Sequence, residues 1–182
     1  MLQAAIFIVV SAALLPLSWR SLKAPRSHGF YRFFAFELIL ALIVWNFPVW
    51  FHDPFCARQI LSWLLLSASI VPAVAGFRLL LERGRPSREP SGGAQFQFEN
   101  TTVLVTSGIY GLIRHPMYAS LVSLAWGACL KRLNLATIGL VLAATAFLTA
   151  TAVAEERENI ARFGSGYQAY MRKTRRFIPF LF

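Results

Sequence analysis

A chain of 182 residues that is 57% hydrophobic and 14% charged, with a mean hydropathy of +0.54, is too apolar for a soluble domain of that length. Its net charge of +10 would suit a nucleic-acid partner. The bases, however, alternate with apolar runs of about 20 residues, the length that crosses a bilayer, so they read as topological signals and nucleic acid is excluded. Cys56 and Cys129 are the only cysteines and supply neither a disulfide framework nor a metal-site spacing; no metal is expected.

The expected fold is therefore all-α: a polytopic integral membrane protein, one domain over 1–182. Five spans are predicted, at 2–19, 33–51, 59–81, 117–131 and 134–154, the fourth short for a bilayer unless its ends are buried in protein. The first reads as a retained span, because Pro16, Trp19 and Arg20 stand where a cleavage site would follow. Arg20, Lys23, Arg26 and Arg32, then Arg83, Arg85, Arg88 and Arg114, then the bases of the tail from Arg157 to Arg176, fall on one side. Only Arg58, Lys131 and Arg132 fall on the other, which predicts the N-terminus outside and the C-terminus in the cytoplasm.

Between the third and fourth spans, 82–101 holds Pro86, Pro90, Gly92 and Gly93 and reads as a cytoplasmic connection, continuing to 116. Only Lys131 to Asn134 separate the last two spans, which predicts a tight helical hairpin with small residues on its faces, Ala119, Ser123 and Gly127 against Ala143, Ala144, Thr145, Ala146 and Ala150. Such a hairpin brings Arg114 to Tyr118 beside Glu155 and Glu156. Small-residue faces also suit packing between monomers, so oligomeric state stays open.

The stretch from Thr102 to Tyr118, TVLVTSGIYGLIRHPMY, concentrates the polar, aromatic and backbone-shaping residues. His115 then Pro116 signals a helix start, since proline suits the first helical position, and the free amides of that turn favour an anionic group. Gly108 permits a turn that lets the backbone of Ser107 to Tyr110 approach a ligand. Anchoring of Arg114 and His115 at the headgroup level explains the same residues equally well. Glu155 and Glu156 oppose the helix dipole at the inner end of the fifth span. Either they form a solvated cluster with Arg157 and Arg162, or one carboxylate accepts hydrogen bonds from a ligand. Glu37, within the second span, is a candidate by the cost of its burial, though pairing with Arg32 or Arg78 accounts for it too. Phe30, Tyr31, Phe33, Phe34 and Phe36 read as an interfacial belt.

The run TSGIYGLIRHPMY, the hairpin, and then EERENIARFGSGYQAYMRKTRRFIP resemble the isoprenylcysteine carboxyl methyltransferase family and the related membrane phospholipid methyltransferases, over roughly 95–179. The resemblance implies S-adenosylmethionine as cofactor, yielding S-adenosylhomocysteine. It implies cofactor contacts from Gln95, from the strand-like run Thr102, Val103, Leu104 and Val105, from Gly108 and Tyr110, from His115, Pro116, Met117 and Tyr118, and from Glu155 and Glu156. Glu155 takes the place of the family's cofactor glutamate. Tyr110 and Tyr118 offer faces for a sulfonium. Arg114, with His115, is the candidate for orienting the acceptor, a guanidinium matching a carboxylate in a fork. Thr151 stands at the acceptor-side position where carboxyl methyltransferases carry a second arginine, a departure that bears on the acceptor.

The implied partners are the bilayer and a lipophilic acceptor, with isoprenylcysteine-type carboxylate O-methylation as the leading reaction. A phospholipid or small-molecule N-, O- or S-methyltransferase is the alternative on the same scaffold. An NADPH-dependent sterol-type reductase and a non-enzymatic helical protein are the remaining readings.

Overall fold

The computed structural model describes residues 1–85 and 101–179. Among them every regular element is helical: α1 Leu2–Leu22, α2 His28–Asn46, α3 Ala57–Arg83, α4 Pro116–Cys129, α5 Leu135–Phe163 and α6 Ser165–Lys173, with 3-10 turns at Phe47–Val49 and Gly108–Gly111. The run 102–105 is not a strand: 102 and 103 form a bend and 104 and 105 are irregular. Gln95 and most of the polar connection lie outside the described residues.

Local chemistry sets the boundaries. Ser27 caps α2, its Oγ accepting from the Phe30 amide. Asn134 opens α5 with a reciprocal capping box, its Oδ1 accepting from the Thr137 amide at 2.9 Å while the Thr137 hydroxyl accepts from the Asn134 amide at 3.1 Å. Gly164, at φ +58°, ends α5 in a conformation that only glycine adopts freely.

Four helices, α1, α2 with its 3-10 extension, α3 and α5, are long and apolar enough to cross a membrane. α4 has 14 residues, about 21 Å of rise against a hydrocarbon core of about 30 Å. α5 has 29, so it outruns the expected end at 154 and carries Glu155, Glu156, Glu158 and Asn159 as continuous helix.

α2 packs chiefly on α5 and α3 chiefly on α4, with α1 lying against α2. The core joins Ala35, Ile39 and Leu42 of α2, Tyr118, Ala125 and Ala128 of α4, and Val141, Ala144 and Leu148 of α5. α1 and α3 leave Ile8, Val9, Leu64, Ile70 and Val71 exposed, as surfaces facing lipid do. The hairpin is therefore present, but the small residues of α4 do not all face α5. A Cβ on Gly127 would stand 2.9 Å from Leu66 Cγ, on α3. Gly127→Ala is expected to cost about 1 to 3 kcal/mol by overpacking the α3–α4 contact, measurable as a lowered unfolding midpoint in detergent.

Because α4 ends inside protein, its last carbonyls need partners. Asn46 Nδ2 donates to Ala128 O at 2.8 Å, Ser62 Oγ to Gly127 O at 2.7 Å, and Arg58 to Leu130 O and Lys131 O, each at 2.5 Å. Lys131, 1% exposed, donates to Gln59 Oε1 at 3.0 Å and sits 3.3 Å over the Trp63 ring. This satisfied end makes a short α4 tolerable. It also holds the helix so that its other end, Pro116, meets α5 at the level of the two glutamates. Glu37 turns towards α1, accepting from Ser11 Oγ at 2.5 Å, rather than pairing with Arg32 or Arg78.

Candidate functional site

The 3-10 turn Gly108–Gly111 begins where Gly108 takes φ +61°, and a Cβ there would meet Leu79 of α3 at 2.7 Å. Gly108 thus seats the turn against α3 and does not line the cavity described below. Chain 112–115 then pairs with the tail. Arg114 N donates to Arg175 O at 2.7 Å, His115 N to Arg176 O at 3.1 Å, and Arg175 N to Leu112 O at 3.2 Å. Parallel pairing at Ile113 and Arg175 completes this short ladder, and His115 caps α4, with Pro116 at its first position.

The two glutamates, adjacent in sequence, have different environments. Glu156 is buried and ion-paired: Arg114 Nε reaches Oε1 at 2.9 Å, while Arg176 binds both oxygens, Nε to Oε1 at 3.2 Å and Nη2 to Oε2 at 2.9 Å. His115 Nε2 lies 3.4 Å from Glu156 Oε1. Glu155, 31% exposed at its side chain, faces a cavity of about 280 Å³, with its Oε2 3.8 Å from His115 Nδ1. The His115 ring stacks on Tyr118, centroids 5.4 Å apart. Arg114 also donates to the carbonyls of Met171 and Thr174, so most of its fork is engaged by protein.

The cavity collects Leu104, Val105, Tyr110, Arg114, His115, Pro116, Met117, Tyr118 and Glu155 from the sequence expectations. Thr102, Val103, Gly108, Glu156 and Thr151 are not in its wall; Thr151 is fully buried with its hydroxyl on Phe147 O at 2.8 Å. Asn159 and Phe163 complete a stripe with Glu155 at successive four-residue steps of α5, a spacing that puts them on one face and was readable in the sequence. Tyr167 and Tyr170 close that end. Burial pushes both phenols up, for Tyr167 with help from the Glu155 charge, so both remain hydroxyl donors at neutral pH. Tyr170 uses its donor on Tyr110 O at 2.7 Å.

Phe36 of α2, Ala73 of α3 and Leu121 of α4 also line the cavity, with buried Arg32. Phe36, read from the sequence as part of an interfacial belt, thus lines the cavity. Arg32 and Phe36, four residues apart, share a face of α2. Their signal was masked by an equally good topological reading.

Residues 90–164 match the family model for phospholipid methyltransferase. That segment is similar to the family, which supports a membrane methyltransferase. No curated protein and no solved structure matches it. The matched methyltransferase segment contains Tyr110, Arg114, His115 and both glutamates, so family and geometry meet on the same residues.

The donor set suits S-adenosylmethionine. A half-exposed carboxylate, Glu155, and the Asn159 amide suit hydroxyl and ammonium groups. The start of α4 suits a carboxylate, and the faces of Tyr110, Tyr118 and Phe163 suit an adenine ring and a sulfonium.

Proposed function

We propose that the methyltransferase uses S-adenosylmethionine, held by Glu155, His115 and the start of α4, to methylate a lipophilic acceptor that reaches the cavity from the bilayer. The observation that carries this reading is one cavity with two kinds of lining: the polar groups of Glu155, His115 and Asn159, and the apolar side chains of Phe36, Ala73 and Leu121. The cofactor supplies an electrophilic methyl group on sulfur. The protein's part is alignment of acceptor and donor, which supplies most of the acceleration in such a transfer, and exclusion of water by Tyr167, Tyr170 and Phe163. The charge distribution of the connections supports a cytoplasmic position for this end.

Between acceptors, the engagement of Arg114 is informative. With Nε on Glu156 and Nη1 on two carbonyls, Arg114 has no free fork for a carboxylate, and Thr151 is turned into the core. This favours a lipid amine or hydroxyl over an isoprenylcysteine carboxylate. Such an acceptor must lose a proton, and Glu155 and His115 are the groups in the wall positioned to receive it. The test is a membrane assay with methyl-labelled S-adenosylmethionine, offering phosphatidylethanolamine vesicles and a farnesylated cysteine in parallel. Label in the phospholipid is expected; label in the prenylcysteine ester overturns the choice of acceptor, and no S-adenosylmethionine turnover with any lipid extract overturns the reading.

A further inference from the structure

We infer that Arg176, in the tail beyond the family match, is a positioning residue of the site, acting through Glu156 on Arg114 and His115. Arg176 does not line the cavity, so it does not touch a ligand there. Its guanidinium instead grips both oxygens of Glu156, at 3.2 and 2.9 Å, and so fixes the carboxylate's rotation. The same carboxylate holds Arg114 Nε at 2.9 Å and stands 3.4 Å from His115 Nε2, a buried atom with no hydrogen-bond partner among the described residues.

The backbone contributes to the same end. Arg175 and Arg176 carbonyls accept from the Arg114 and His115 amides, and Phe177, buried, lies with its ring centroid 6.3 Å from that of His115, on which Tyr118 stacks. The imidazole is therefore fixed by rings, by a carboxylate and by its own backbone, and three of these supports come from, or depend on, 175–177. A carboxylate with one cation would be free to rotate towards His115 or towards solvent. With two, one of them gripping both oxygens, it has one orientation, and His115 presents Nδ1 to Glu155 and the cavity.

What that arrangement serves rests on the S-adenosylmethionine reading above; the arrangement itself does not. Two measurements separate them. Equilibrium binding of S-adenosylhomocysteine to the purified full chain in nanodiscs should weaken about tenfold in Arg176→Gln and in Glu156→Gln, with Arg176→Lys in between. The double variant should lose no more than Glu156→Gln alone, because one residue acts through the other. Ring ¹⁵N chemical shifts of His115, recorded without ligand, should move in Arg176→Gln and less in Arg176→Lys, whose thermal midpoint serves as the folding control. Wild-type affinity in Arg176→Gln, additive losses in the double variant, or unmoved His115 shifts would each overturn the role of Arg176. Absence of S-adenosylhomocysteine binding to the wild type, with His115 shifts that do move, would overturn the cofactor reading and leave the positioning role standing.

Discussion

Glu155→Ala is expected to lower the affinity for S-adenosylhomocysteine about a hundredfold while leaving the unfolding midpoint close to wild type. The carboxylate is partly exposed and faces the cavity. Its removal takes away hydrogen bonds to a charged acceptor, worth about 1.5 to 3 kcal/mol each, and two such bonds at the low end of that range convert to roughly two decades of affinity. The protein itself loses little, since the long 3.8 Å approach to His115 is the only ion pair Glu155 makes among the described residues. His115→Ala should weaken binding to a similar degree, with some loss of stability because its stacking on Tyr118 goes too. Titration calorimetry on both variants, beside thermal scans, checks this; unchanged affinity in both would remove the site from this cavity.

Glu156→Ala should act first on stability. It strips the shared acceptor from Arg114, 9% exposed, and Arg176, 23% exposed, leaving two close cations without their carboxylate. Breaking a buried pair by removing one partner costs about 3 to 5 kcal/mol, a large share of the stability of a typical domain. The expected result is a protein that accumulates poorly and unfolds far earlier in a detergent or urea titration. Glu156→Gln, which keeps the shape and one acceptor oxygen, should be milder. A Glu156→Ala variant as stable as wild type would show that the ion cluster is not a structural support. Neighbouring glutamates are thereby assigned different duties, Glu155 to ligand and Glu156 to architecture.

Much of this was legible in the chain. Apolar runs of membrane-spanning length gave the helices, and Pro116 marked the start of α4 because the chemistry of a first helical position is local. The short hairpin link brought Arg114 and Glu156 together for a reason of geometry: two helices joined by a few residues must run antiparallel. What the sequence concealed were partnerships across long separations. Gly127 reads as a hairpin contact until Leu66 of α3 is seen against it. Phe36 reads as belt until the cavity is seen behind it. Arg176 reads as one more base in a cationic tail; only the folding of 175–177 along 112–115 turns it onto Glu156. Periodicity reports which face of a helix is apolar, not which neighbour covers it, and a titratable residue's partner is a tertiary fact. Even so, the stripe Glu155, Asn159 and Phe163 needed no structure to be found.

The central claim, that this cavity binds S-adenosylmethionine, is tested most directly by equilibrium binding of S-adenosylhomocysteine and of NADPH to the purified wild-type protein in nanodiscs. Saturable, one-to-one binding of S-adenosylhomocysteine that Glu155→Ala weakens about a hundredfold, with no NADPH binding, is the predicted result. Tight NADPH binding with none of S-adenosylhomocysteine would contradict it.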